Sequence, residues 1–214
     1  MQKYISEFIG TFVLLVSIVG SGIAGQQYTN DQMVILVSHA VVIGLTLIFI
    51  IGIFANFSGA HFNPIVSILF FLQKELSKKD LCLFISIQIT AAILGTIFAN
   101  YIFGLSIVEI SSNIRSGTNI YISEIFASFG LLMVILLSKV GGKNIVAFNV
   151  GIYITAAIIF TSSASFANPA VSIARIFTES FAGINPSTVI FFIGSQVIGM
   201  FGAYFLYKYL FKTK

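Results

Sequence analysis

The sequence predicts an all-α membrane protein with six transmembrane helices and two membrane-inserted half-helices, arranged as an inverted repeat. Composition, six long apolar stretches and a duplicated series of motifs lead to this fold class. Only 8% of the 214 residues are charged and 57% are hydrophobic, whereas soluble proteins carry about 25% charged residues. Such a chain cannot cover a water-exposed surface, and at about 20 residues per span it has room for roughly six or seven crossings.

Six stretches are long and apolar enough to cross a bilayer: residues 4–25, 33–54, 81–104, 120–138, 145–161 and 187–207. Nine of the eleven basic residues lie before the first stretch, in the even-numbered connections or after the last: Lys3, Lys74, Lys78, Lys79, Lys139, Lys143, Lys208, Lys212 and Lys214. Because basic loops stay in the cytoplasm, both termini are expected there. The net charge of +4 therefore marks topology, and we expect no nucleic-acid partner.

Two shorter apolar segments, residues 63–73 and 168–178, each begin with Asn-Pro. Asparagine is a favoured helix cap and proline suits the first helical position. About ten helical residues span roughly 15 Å, half of the ~30 Å hydrocarbon core. The segments are therefore predicted to be half-helices that enter from opposite sides and meet near the middle of the membrane.

The chain repeats its motifs in the same order. Tyr-Ile-Ser-Glu ends at Glu7 and again at Glu124, two Asn-Pro motifs continue as Val-Ser-Ile, and Gln88 has a counterpart in Gln196. Three spans per half is an odd number, so the second copy is inverted relative to the first. We divide the chain into a first repeat, residues 1–110, and a second repeat, residues 111–214.

These residues resemble the aquaporin and aquaglyceroporin channels of the major intrinsic protein family. The run from Ser58 to Pro64, the Asn-Pro-Ala beginning at Asn168 and the glutamate in the first span carry the resemblance, which covers essentially the whole chain. It implies an aquaporin-like fold, a homotetramer in the lipid bilayer and passive transport of small neutral solutes without a cofactor. A third Asn-Pro, at Asn185, lacks this context and is expected only to begin a helix.

Asn63 and Asn168 are expected to donate hydrogen bonds to solutes in the pore. The same two motifs include Pro64, Ile65, Pro169 and Ala170. An ionisable group inside a span costs at least ~2.5 kcal/mol, so Glu7 and Glu124 require a role. Proton carriage is one alternative, but their symmetric placement favours accepting hydrogen bonds from the chain that leads into each half-helix, and Gln88 and Gln196 are expected to share this scaffold role.

The expected selectivity constriction departs from the family pattern. Its four positions correspond to Ile43, Ala156, Ser165 and Val171, with Ala157 or Ile158 as alternatives for the second position. Water-selective members of the family commonly have phenylalanine, histidine and arginine at three of these positions, where this chain has Ile43, Ala156 and Val171. We therefore expect a wide ring of side chains without charge. Such a ring suits glycerol, urea, hydrogen peroxide or arsenic and antimony trihydroxides. The stretch from Phe166 to Arg175, continuing through Phe181–Ile184, also resembles the aquaglyceroporin-type channels of bacterial arsenic-resistance operons, which likewise carry valine at the position of Val171. This resemblance indicates a bacterial or archaeal plasma membrane.

Three residues are candidates for the channel vestibules. Arg175 lies one turn beyond Val171, either as a displaced selectivity arginine or bonded to Glu179 or to loop carbonyls. His39, one turn from Ile43, either gates the channel by titration or packs by hydrogen bonding, and His61 is expected to line the pore or fix its loop.

Other functional classes are disfavoured. The sequence shows no metal-ligand spacing and no nucleophile with a base, so we expect no metal site and no enzyme. A secondary transporter would need broken spanning helices or further intramembrane charges, and a water-selective channel with an unusual filter is the remaining alternative. The single cysteine, Cys82, lies in an apolar stretch and is expected to be buried.

Overall fold

The computed structural model describes residues 1–211, and within them the chain forms helices and no strands. Six helices are long and apolar enough to cross a membrane. Lys212 and Lys214 lie outside the described residues. The α-helices are α1 (Gln2–Tyr28), α2 (Gln32–Phe54), α3 (Pro64–Leu72), α4 (Lys78–Ile102), α5 (Thr118–Ser138), α6 (Lys143–Phe160), α7 (Pro169–Ala174) and α8 (Pro186–Leu210).

The six predicted spans are all present, and most of them begin or end beyond the apolar stretch. Polar residues form their outer turns: α2 is capped by Asp31, whose carboxylate accepts from Met33 N at 2.8 Å, and α4 is capped by Ser77. Asn185 likewise caps α8 by accepting from Ser187 N at 3.0 Å, as expected for this third Asn-Pro. Hydropathy locates the lipid-spanning part of each helix, whereas capping decides where the helix begins.

The two half-helices differ in length. The first, α3, has nine residues, whereas α7 has six and continues as a 3₁₀ turn over Arg175–Phe177. The expectation of an α-helix over residues 168–178 was therefore too long. The backbone of Arg175 lies near the bridge conformation, with φ −70° and ψ −4°, and Thr178 is extended, so the α-helical bonds cannot continue.

Small residues bring the long helices together. The principal helix pairs are α1 with α4, α5 with α8, and α2 with α6. A Cβ atom on Gly95 would lie 2.6 Å from the Phe12 carbonyl oxygen, and one on Gly199 would overlap the Ile125 carbonyl. Each half of the chain thus has a glycine at its closest crossing, between α1 and α4 and between α5 and α8.

Polar contacts of the basic loops lie at one end of the bundle. Lys3 pairs with Asp80 at 2.8 Å, and Lys139 pairs with Glu75 at 2.7 Å. These pairs join the N-terminus to the start of α4, and the end of α5 to the connection that follows α3.

The expectation that Cys82 is buried was wrong, because its side chain is exposed on α4. An apolar stretch in a membrane protein faces lipid as well as protein, so apolar surroundings in the sequence do not imply burial in the bundle.

Candidate functional site

The two half-helices meet at Asn63 and Asn168. Each Oδ1 caps its own helix: that of Asn63 accepts from Ile65 N at 3.1 Å, and that of Asn168 accepts from Ala170 N at 3.0 Å. Each Nδ2 donates to the opposite half, to the Ala167 carbonyl at 2.8 Å from Asn63 and to the Phe62 carbonyl at 2.9 Å from Asn168. Since an amide nitrogen carries two hydrogens, each asparagine keeps one donor at the wall of the central cavity, which both line.

The other motif residues support these caps. Pro64 and Pro169 occupy the first helical position, where a missing N–H costs no hydrogen bond. Ile65 and Ala170 are fully buried. None of the four forms part of the cavity wall, so their contribution to the site is the placement of the two asparagines.

Glu7 is fully buried and accepts four hydrogen bonds. Its donors are Ser58 Oγ at 2.7 Å, the backbone N–H groups of His61 at 2.9 Å and Phe62 at 2.8 Å, and Gln88 Nε2 at 2.8 Å. Gln88 Nε2 also lies 3.0 Å from Ser67 Oγ on α3. The carboxylate therefore ties α1 and α4 to the loop that enters the first half-helix.

Glu124 makes the corresponding contacts in the second half. It accepts from Ala167 N at 2.5 Å, Phe166 N at 3.3 Å and Gln196 Nε2 at 2.8 Å. Gln196 Nε2 also lies 2.9 Å from Ser172 Oγ on α7. Both acids accept hydrogen bonds from loop backbone, and neither forms part of the cavity wall.

The loops held by these acids have a strained backbone. Ala60 and Phe62 have φ of 53° and 49°, and the equivalent Ser165 and Ala167 have φ of 44° and 45°. A left-handed conformation costs about 1–2 kcal/mol for a residue with a side chain. The hydrogen bonds from the two loops to the buried carboxylates offset this strain and aim the loop carbonyls at the opposite asparagines.

A cavity of about 290 Å³ passes both asparagines. Lys139, Lys143 and Glu75 line one end, and His39 and Arg175 line the other. The wall between them is mainly aliphatic and is formed by Leu14, Ile18, Ile43, Leu47, Ile51, Val66, Leu131, Ile135, Val146, Val150, Ile154, Ile158 and Val171. A long apolar passage with a few polar groups at its centre and ends can bind and release neutral molecules without holding them tightly.

The structure brings three of the four expected constriction residues to the cavity wall: Ile43, Ser165 and Val171. The assignment of Ala156 was wrong. Ala156 is exposed and lines a separate groove on the outside of α5 and α6, whereas Ile158, the alternative two residues later, lines the cavity. Successive helical residues are about 100° apart, so a two-residue miscount turns a side chain to the opposite face.

Both histidines line the cavity and are held by hydroxyl groups. His39 Nδ1 lies 2.8 Å from Ser21 Oγ, and His61 Nδ1 lies 3.0 Å from Ser67 Oγ. The His61 ring also packs edge-on against Phe84, with centroids 5.4 Å apart. His61 thus joins its loop to the first half-helix while facing the pore.

Arg175 has only 3% of its surface exposed and lines the end of the cavity away from Lys139 and Lys143. Its Nε donates to the Ala182 carbonyl, and its guanidinium carbon lies 3.5 Å from the centroid of the Phe166 ring. Glu179 does not pair with Arg175; it accepts from Ser112 N and Oγ at 2.6 and 2.5 Å. Of the alternatives raised by the sequence, bonding to a loop carbonyl is the contact present.

Sequence reasoning missed two residues at this end. Phe166 lines the cavity beneath Arg175, and Arg115 donates to the Gly183 carbonyl at 3.0 Å and the Phe181 carbonyl at 2.8 Å. A signal for Arg115 was available, since Arg115 and Arg175 are the two basic residues outside the group of nine lysines that was predicted to mark the cytoplasmic side. Burial in the bundle lowers the pKa of Arg115.

Six spans, two half-helices capped by facing asparagines and a continuous cavity beside them define a transmembrane channel. The family model of the major intrinsic proteins matches residues 1–165. The chain is 38% identical over 209 residues to aquaglyceroporin AqpS of Rhizobium meliloti (strain 1021), covering 98% of this chain and 90% of that protein. The chain therefore belongs to the major intrinsic protein family, and it is a channel for water and small neutral solutes, not an enzyme.

Two further comparisons agree with this family assignment. Aquaporin NIP1-1 of Arabidopsis thaliana is 29% identical over 144 residues, which cover 63% of this chain and 48% of that protein. The X-ray structure of the aquaglyceroporin from Plasmodium falciparum superposes with a TM-score of 0.78 at 21% identity, covering 99% of this chain and 96% of that chain. At this identity the superposition shows the shared fold.

Proposed function

We propose that this channel has a wide, uncharged constriction that passes solutes of the size of glycerol and urea as well as water. The observation that carries the proposal is the ring of Ile43, Ile158, Ser165 and Val171 on the cavity wall. Three of these side chains are aliphatic and the fourth is a small hydroxyl, so the ring holds no fixed charge. The carbon skeleton of a polyol fits such a wall better than it fits a charged one.

Asn63 and Asn168 supply the polar side of the path. Each has one amide hydrogen left after capping and cross-linking, and that donor can bind a hydroxyl or carbonyl oxygen of the solute. The N-termini of the two half-helices add partial positive charge at the same level. Neutral molecules with acceptor oxygens are therefore favoured, while cations and hydronium are repelled.

The charges at the two ends of the cavity also repel cations. Lys139, Lys143 and Arg175 line it. Glu75, the one acid on its wall within residues 1–211, is paired with Lys139 at 2.7 Å. A cation entering from either end therefore meets positive charge before the constriction. Glycerol, urea, hydrogen peroxide and the trihydroxides of arsenic and antimony carry no charge to repel.

The test compares wild type with Val171→Arg and, as a control for volume without charge, Val171→Ile, in proteoliposomes by stopped-flow light scattering. We expect wild type to conduct glycerol and urea well above protein-free liposomes. Val171→Arg should lower glycerol permeability at least about tenfold, which corresponds to an activation barrier raised by about 1.4 kcal/mol. The effect on water permeability should be smaller. Wild-type flux of water alone, unchanged by the arginine, would favour a water-selective channel instead.

We also infer that both termini lie in the cytoplasm of a prokaryotic plasma membrane and that the chain assembles as a homotetramer. The clustering of Lys3, Lys139 and Lys143 at one end of the bundle supports the orientation, and the family resemblance supports the tetramer. A C-terminal fluorescent protein that fails to fluoresce in cells, or a monomeric mass in native mass spectrometry, would contradict these inferences.

The matched contacts of Glu7 with Gln88 and Glu124 with Gln196 support the division into repeats at residues 1–110 and 111–214.

A further inference from the structure

Arg175 and His39 occupy equivalent positions relative to the four-residue ring. His39 lies four residues before Ile43 on α2, and Arg175 lies four residues after Val171 at the second half-helix. Four residues make about one helical turn, roughly 5.4 Å, so each is displaced by one turn from a ring residue. Both side chains line the cavity, and only 2% and 3% of their surfaces are exposed.

Each side chain keeps polar atoms that face the cavity. The Nε of Arg175 is bonded to Ala182, but its two Nη groups have no acceptor within residues 1–211. The Nε2 of His39 also has no partner in the described part of the chain. The Nη atoms of Arg175 and the Nε2 of His39 are not among the polar atoms that lack both a partner and access to solvent. The open space beside them is therefore the cavity that both residues line.

The hydroxyl of Ser21 bears on what His39 offers to that space. Ser21 Oγ lies 3.2 Å from the Ile18 carbonyl and 2.8 Å from His39 Nδ1. When the hydroxyl donates its one hydrogen to the Ile18 carbonyl, it can only accept from the imidazole. In that tautomer Nδ1 carries the hydrogen, and Nε2 is an acceptor on the wall of the cavity that Arg175 also lines.

Arg175 is held rigidly enough to act as a binding group. Its guanidinium lies against one face of Phe166 at 3.5 Å from the ring centroid. Arg115 lies 5.4 Å from the same centroid and bonds the carbonyls of Phe181 and Gly183, on either side of Ala182. Arg115 thus holds the Phe166 ring beneath Arg175 and the chain on either side of the carbonyl that accepts from the Arg175 Nε. The Nη groups of Arg175 remain free.

We propose that Arg175 and His39 form a solute-binding site one turn outside the constriction, specific for neutral molecules that carry both an acceptor oxygen and a donor N–H or O–H. Arg175 donates to the oxygen and His39 accepts from the donor. A solute entering the apolar ring loses water contacts, and this pair replaces them at the entrance. The inference rests on the proposed function in one respect, namely that urea-sized solutes pass.

Urea and thiourea separate hydrogen bonding from size, because they share their shape and their N–H groups while sulfur is the weaker acceptor. The readout is the ratio of urea to thiourea permeability in proteoliposomes, for wild type, Arg175→Met and Ile176→Met. Methionine keeps a long flexible chain over Phe166, and Ile176 is the adjacent residue but does not line the cavity. Gel filtration in detergent reports folding.

We expect the ratio to fall at least about threefold in Arg175→Met, because one hydrogen bond from a charged donor is lost, and to remain at the wild-type value in Ile176→Met. An unchanged ratio in folded Arg175→Met, or an equal fall in Ile176→Met, overturns the site. If Arg175→Met does not fold, His39→Leu decides: lower urea permeability supports the site and wild-type permeability overturns it. Wild type that conducts neither solute overturns the proposed function as well.

Discussion

Replacing Glu7 by glutamine tests whether the buried acid holds the pore loop. The substitution preserves shape but turns one acceptor oxygen into an amide donor. In wild type one carboxylate oxygen accepts from Ser58 and His61 N, and the other accepts from Phe62 N and Gln88. In either orientation of the new amide, its NH₂ group faces one backbone N–H and one side chain.

The side chain of each pair can adapt, whereas the backbone N–H cannot. Ser58 can turn its hydroxyl to accept, and Gln88 has an unpartnered Oε1 that can be turned toward the new donor. One buried backbone N–H of His61 or Phe62 therefore loses its acceptor, which costs about 1–3 kcal/mol, and the two remaining bonds lose charge assistance worth about 1 kcal/mol each. The sum is about 3–5 kcal/mol.

Thermal unfolding of the purified protein in detergent measures this loss. For a chain of this size about 3–5 kcal/mol corresponds to a decrease in Tm of roughly 6 °C or more. Glu124→Gln should behave similarly, since it too faces two backbone N–H groups. Glu75→Gln, which alters an exposed pair with Lys139, should change stability by less than about 1 kcal/mol. A wild-type Tm for Glu7→Gln would refute the reasoning.

Two further predictions follow from contacts elsewhere in the chain. Gly44→Ala places a Cβ on the Thr155 hydroxyl, so we expect α2 and α6 to separate and the yield of folded protein to fall severalfold in gel filtration; Gly52→Ala, with open space around it, is the control, and equal yields would contradict the prediction. The Glu179 carboxylate accepts from the Ser112 hydroxyl and N–H, which lowers its pKa. Its stabilisation is therefore present at neutral pH and is lost as the pH falls through that lowered pKa, so the Tm difference between wild type and Glu179→Gln should shrink on acidification, and a difference that grows would be incompatible with this role.

Periodic and repeated features of the sequence were sufficient to predict the architecture. The hydropathy of six stretches predicted six spans, and the recurrence of motifs around Glu7 and Glu124 predicted matching contacts in both halves. Helix lengths were harder to predict, because they depend on capping and on backbone turns such as the one at Arg175. A ten-residue apolar segment does not reveal that its helix ends after six.

The site was predictable where a residue is placed by its own motif. Asn63 and Asn168 cap the helices that follow them, so their position follows from neighbouring residues. Ile158 was only an alternative to Ala156, because the position depends on the rotation of α6 relative to a loop several residues away. Phe166 was missed because its role arises from stacking with Arg175, a contact set by tertiary packing and not by sequence spacing.

The paired bonds between Asn63 and the Ala167 carbonyl, and between Asn168 and the Phe62 carbonyl, also have a mechanical consequence. Together with the two half-helices they form a closed connection along one side of the channel, and this connection belongs to both halves of the chain. That side of the cavity cannot move unless both bonds break. The ends of the cavity are bordered instead by long side chains such as Lys143, so a change in width needs less rearrangement at the mouths than beside the asparagines.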